Sequence, residues 1–135
     1  MKRRDFMGRA GCGLAGFTAA PLAFGLGESQ GQPAPPRGPR YKLEIEIFEA
    51  RTDSWCHKKG DKFAYPQDIG KLCPWLLGSL RDFLTALNHG AVLSWKYEKT
   101  PYEKVIDPNG VTTEYVRCPD PTSNLVAKIT RTKIG

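Results

Sequence analysis

Pro74-Trp-Leu-Leu-Gly-Ser-Leu-Arg-Asp-Phe-Leu-Thr-Ala-Leu-Asn88 carries its apolar residues at Leu76, Leu77, Leu80, Phe83, Leu84 and Leu87. Spacings of one, three and four put them on a single stripe of an α-helix, which repeats about every 3.6 residues. Pro74 suits the first turn, where its missing N–H has no partner to lose, and Gly90 after Asn88-His89 suits the stop. The spacing predicts a helix over Pro74–Asn88 with one face to bury.

The segments on either side have a different period. In Tyr41-Lys-Leu-Glu-Ile-Glu-Ile-Phe-Glu-Ala50, Leu43, Ile45 and Ile47 point one way and Lys42, Glu44 and Glu46 the other, the alternation of a half-buried strand. Gly60-Asp-Lys-Phe-Ala-Tyr65 reads as a turn feeding a short strand that ends at Pro66. Beyond the helix, Val92-Leu-Ser-Trp-Lys-Tyr97 and Val111-Thr-Thr-Glu-Tyr-Val-Arg-Cys118 are rich in β-branched or aromatic residues, and Asp107-Pro-Asn-Gly110 between them is a turn signal. Leu125–Thr130 supplies a last strand. The order β-β-α-β-β-β predicts an α+β domain, a mostly antiparallel sheet with one main helix over its apolar face. A small, partly open barrel uses the same elements. The helix stripe is expected to pack on Leu43, Ile45 and Ile47.

This domain, Tyr41 to Gly135, has about 95 residues, enough for one small core. Residues 28–40 precede it, and their run QGQPAPPRGPR, Gln30 to Arg40, reads as an extended solvated linker, because proline removes donors and nothing in it can be buried. Residues 1–27 are of another kind. Lys2-Arg3-Arg4-Asp5-Phe6-Met7 followed by the weakly apolar Ala10–Phe24 resembles a twin-arginine export signal, with cleavage expected near Ala23-Phe24-Gly25. That resemblance implies a periplasmic or otherwise exported bacterial protein, handled as precursor by the twin-arginine machinery. Gly11, Gly13, Gly16, Thr18 and Pro21 make the segment too weakly apolar for a permanent span. Cys12 follows Arg9-Ala10-Gly11 rather than an apolar run, which excludes a lipoprotein signal.

Four of the 20 basic residues and one of the 14 acidic residues lie in residues 1–27, leaving 16 against 13, a net +3 in place of +6. Acids interspersed among so small an excess of bases describe an ordinary wet surface, not a nucleic-acid interface. No serine–histidine–acid arrangement, phosphate loop, HExxH helix or nucleotide fingerprint is present.

The chemistry lies in three cysteines at element junctions: Cys56 between the first two strands, Cys73 before Pro74 at the helix start, and Cys118 at a strand end. If they converge, three thiolates and His57 make the donor set of a tetrahedral transition-metal site, with zinc foremost and His89 an alternative fourth ligand. The alternatives are one disulfide with a thiol left over, and three inert buried thiols. Cys73 has a further option. A thiolate at a helix N-terminus meets unpaired N–H groups and the positive end of the dipole, which suits a reactive nucleophile; plain N-cap packing explains the position equally. His57 beside two lysines has the setting of a solvated loop histidine, and His89 that of a structural helix C-cap. Asp61 and Asp120 suit turns. Trp55, Trp75 and Trp95 are expected in the core.

Taken together, Cys56-His57, Gly60-Asp61-x-Phe63, Cys73-Pro74 with its leucine-rich helix, Trp95, and Cys118-Pro119-Asp120 resemble a family of small uncharacterised three-cysteine bacterial proteins. The likeness covers nearly all of Tyr41 to Ile134. Members of that family are usually lone domains, so the export segment and linker are departures. The resemblance implies that Cys56, Cys73 and Cys118 act together without naming a reaction. The expected function is that of an exported metal-binding or accessory domain; the alternative is a thiol-dependent redox protein or enzyme with Cys73 as the reactive thiolate.

Overall fold

A computed structural model describes residues 38–135. The signal-like segment, Cys12 and nearly all of the linker lie outside the described residues. Four strands, β1 (Tyr41–Glu49), β2 (Lys62–Tyr65), β3 (Val111–Arg117) and β4 (Val126–Lys133), form one antiparallel sheet in the order β2-β1-β4-β3. One helix, α1 (Pro74–Asn88), covers one face, and a single 3-10 turn at Ile69–Lys71 leads into it. The domain is α+β with an open sheet.

Pairing follows from the alternation of β1. Ile45 lies opposite Ile129, and Ile47 opposite Ala127, so the apolar residues of neighbouring strands share the face under α1. Leu76, Leu80, Leu84 and Leu87 of the helix stripe are fully buried against Leu43, Ile45 and Ile47, with Phe83 partly buried at the margin. Fully burying each such side chain is worth about 1.5–3 kcal/mol, so this contact forms most of the core. Gly90 ends the helix with φ +84°, a left-handed conformation that favours glycine. The ring of Tyr41 packs so close to Gly90 that a Cβ there would sit 2.8 Å from its hydroxyl oxygen.

Two expectations need correction. Val92–Tyr97 is not a strand, and the sheet has four strands rather than five. Its aromatic residues have another task. Lys104 and Glu114 form an ion pair of 2.6 Å whose side chains are 0% and 1% exposed, because Glu114 lies opposite Ile129 on the helix-facing side of the sheet. Trp95 and Tyr97 close over the ammonium, at 4.6 and 5.1 Å from their ring centroids. The 91–105 segment therefore folds as a cover over a buried cation. It then meets the free edge of β3 at one bridge, Ile106 with Thr112.

A second buried cation closes the other end of the core. Arg131 donates to Ala91 O at 2.8 Å, Leu87 O at 3.4 Å and Thr112 Oγ1 at 3.2 Å, with its guanidinium over the Tyr41 ring. It supplies positive charge where the last carbonyls of α1 point. In β1, Phe48 is an extra residue between the pairs Ile47–Ala127 and Glu49–Val126. This bulge turns both Phe48 and Glu49 to the face away from the helix.

Candidate functional site

All three cysteines among the described residues lie at one end of the sheet. Arg117 pairs with Val126 and Val126 with Glu49, so Cys118 and the loop bearing Cys56 leave the sheet at the same end. The helix start joins them through His57, whose Nε2 accepts a hydrogen bond from the Cys73 backbone N–H at 2.9 Å. The loop is braced twice: Gly60 N–H donates to Ile47 O at 2.8 Å, and Arg51 donates to Thr122 O at 3.1 Å in the segment after Cys118.

His57 departs from its expected setting. It is buried, at 7% exposure, with its ring edge-on to Phe63 at 5.2 Å. Burial lowers its pKa below the ordinary 6.5, partly opposed by the charge of Asp61. The neutral ring so favoured carries its proton on Nδ1 and offers Nε2 as the acceptor for Cys73. That hydrogen bond fastens the helix N-terminus to the loop.

Cys73 is the N-cap residue of α1 and is partly exposed, as is Cys56. Both line an open cleft of about 570 Å³ together with His57, Lys71, Leu72 and Pro74, between Trp55 and Trp75. The Ser54 hydroxyl lies 3.7 Å from the Cys56 sulfur. A neighbouring depression of about 350 Å³, lined by Pro74, Trp75, Gly78, Ser79 and Pro119, continues along the helix. Cys118 is set apart: at 5% exposure it belongs to the apolar core. All three thiols are free.

Among the described residues no group of three His, Cys, Asp or Glu side chains stands where it could hold a metal ion. The Nε2 lone pair of His57 is taken by Cys73 N–H, and Cys118 is sealed among leucines and isoleucines. His89 lies at the far end of α1, its Nδ1 donating to Thr85 O at 2.8 Å. Asp61 and Asp120 serve turns, Asp61 accepting from Lys58 N–H and Asp120 from Thr122 N–H.

Trp55 and Trp75 are 78% and 63% exposed and wall the cleft, contrary to the expected core placement; Trp95 is also exposed, over Lys104. A signal for this exists in the sequence. Trp75 precedes Leu76 and falls off the Leu76–Leu80–Leu84–Leu87 stripe, and each cleft tryptophan stands within two residues of a cysteine. Lys104 and Glu114 carried only the hint that Glu114 falls on the inward phase of its strand. No helix among the described residues is long and apolar enough to cross a membrane. No family model, curated protein or solved structure matches the chain.

Proposed function

We propose that the domain is a thiol-exchange module of an exported protein, with Cys73 as the thiol that meets the partner and Cys56 as the thiol that resolves it. The observation that carries this reading is the shared cleft: two partly exposed free cysteines, one of them the N-cap of α1, between two exposed tryptophans. Export, proposed from the twin-arginine-like segment, places such thiols where partner disulfides persist.

The chemistry balances without a further reactant. The Cys73 thiolate attacks one sulfur of a partner disulfide, the partner S–S bond breaks, and the released partner thiolate takes a proton. The Cys56 thiolate then attacks the Cys73 sulfur of the mixed disulfide and expels the second partner thiol. Two electrons pass to the partner, and the module is left with a Cys56–Cys73 disulfide, which requires the two Cβ atoms to come within about 3.5–4.5 Å. His57 is not the base, because its Nε2 already holds Cys73 N–H. Its part is to position the helix start.

A zinc ion on Cys56, Cys73, Cys118 and His57 fits less well, since it needs the core opened at Cys118 and the His57–Cys73 bond broken. The test is mixed-disulfide trapping with a peptide disulfide probe. In Cys56→Ser the probe should accumulate as an adduct on Cys73; in Cys73→Ser no adduct should form at Cys56 at a comparable rate. Adduct formation that ignores the Cys73 substitution would overturn the assignment, as would failure of oxidised wild-type protein to contain a Cys56–Cys73 bond.

A further inference from the structure

The sheet face turned away from α1 carries a second, unrelated pocket. Phe48, Tyr102 and Tyr115 form an edge-to-face cluster with centroid separations of 5.0 to 6.2 Å. Beside it opens a cavity of about 170 Å³ lined by Tyr97, Thr100, Tyr102, Tyr115, Arg117 and Val126. An enclosed apolar cavity of about 150 Å³ takes a benzene molecule; this depression has a similar volume but opens to solvent, so it can seat one six-membered ring against its aromatic wall.

Its rim is built with care for shape. Tyr97 and Lys99 have φ of 53° and 62°, left-handed values that non-glycine residues adopt at a cost and that concentrate at ligand clamps. Thr100 stiffens the turn, its hydroxyl donating to Tyr97 O at 2.7 Å and accepting from Tyr102 N–H at 3.2 Å. The rim is anchored from below, because Lys104, buried against Glu114, holds Tyr97 down by its ring.

The mouth carries charges of both signs: Glu46 acts on Tyr115, and Glu49 and Arg117 both meet the Tyr102 hydroxyl. Glu49 is already engaged, its two oxygens accepting from the Tyr102 hydroxyl at 3.0 and 2.9 Å. Arg117 is exposed and forms no salt bridge among the described residues; its side-chain hydrogen bond there is a long one of 3.4 Å to the Tyr102 oxygen. A guanidinium with spare donors at the lip of an aromatic, ring-sized pocket is the arrangement that recognises a planar anion.

We propose that this pocket binds a small aromatic carboxylate, its ring among Tyr97, Tyr102 and Tyr115 and its carboxylate paired with Arg117. This site is separate from the thiol cleft and does not depend on the thiol reading. The test is a titration of the full-chain protein with benzoate, followed by NMR of the tyrosine ring resonances, with benzamide, acetate and benzylamine as companions. Benzoate should give saturable shifts centred on Tyr102 and Tyr115, acetate none, and benzamide should bind at least about tenfold more weakly, the factor that one lost charge-assisted hydrogen bond of about 1.4 kcal/mol represents. Arg117→Gln, at an exposed position, should keep the fold by circular dichroism and lose benzoate binding to a similar degree. Tyr115→Ala should weaken benzoate and benzamide alike. No saturable shift at millimolar benzoate, equal binding of benzoate and benzamide, indifference to Arg117→Gln, or tighter binding of benzylamine would each overturn the proposal.

Discussion

His57 couples two segments through one hydrogen bond, and its burial sets the pH dependence of that link. A histidine whose folded pKa lies below its ordinary value binds its proton less readily folded than unfolded. Its contribution to stability is therefore fully present above 6.5 and declines as the pH falls below that value toward the depressed folded one. Protonation also puts a hydrogen on Nε2, where Cys73 N–H needs an acceptor. Between about pH 7.5 and 5.5 the urea midpoint of wild-type protein should fall further than that of His57→Gln, which cannot titrate. Parallel decline in the two proteins would show that His57 does not carry the effect. Lys104 and Glu114 give a second prediction at this scale. Removing one partner of a buried pair leaves a charge without compensation, so Lys104→Met should cost about 3–5 kcal/mol in chemical denaturation. Lys104→Met with Glu114→Leu should recover most of that loss, because the pair itself repays little beyond its own desolvation.

At the scale of elements, α1 on β1 is the contact the rest of the domain is arranged around. Leu80→Asp should abolish folding by placing a carboxylate in the core, and Leu80→Ala should cost about 2–5 kcal/mol. Arg81→Asp, one residue on and exposed, should shift the thermal midpoint little. These two elements were legible in the sequence because each has a single apolar face with its own period, and burial of that face dictates both structure and partner. Val92–Tyr97 has strand-like composition but no such rule behind it. Trp95 and Tyr97 are spent on covering the Lys104 ammonium, a contact with no local spacing. The same holds for Trp75. Its size argues for burial, whereas its phase on the helix, one residue off the stripe, leaves it in the cleft wall.

The whole molecule presents different chemistry on its two sides and at its two ends. The sheet end holding Cys56, Cys73 and Cys118 is where β1 and β3 finish and α1 begins; the opposite end is closed by Arg131, Tyr41 and Gly90. That the cysteines would share an end could be read from their junction positions. That they would divide into two cleft thiols and one core thiol could not, because burial of Cys118 depends on the packing of Leu125 and its neighbours across the sheet. This division is the central claim, and native-state alkylation resolved by peptide mass spectrometry tests it most directly. Cys73, partly exposed in the cleft, should react first. Cys56 should follow, and Cys118 should be modified only as fast as the domain unfolds. A Cys118 that reacts as quickly as Cys73 in the folded protein, or a Cys56 as slow as Cys118, would contradict the account.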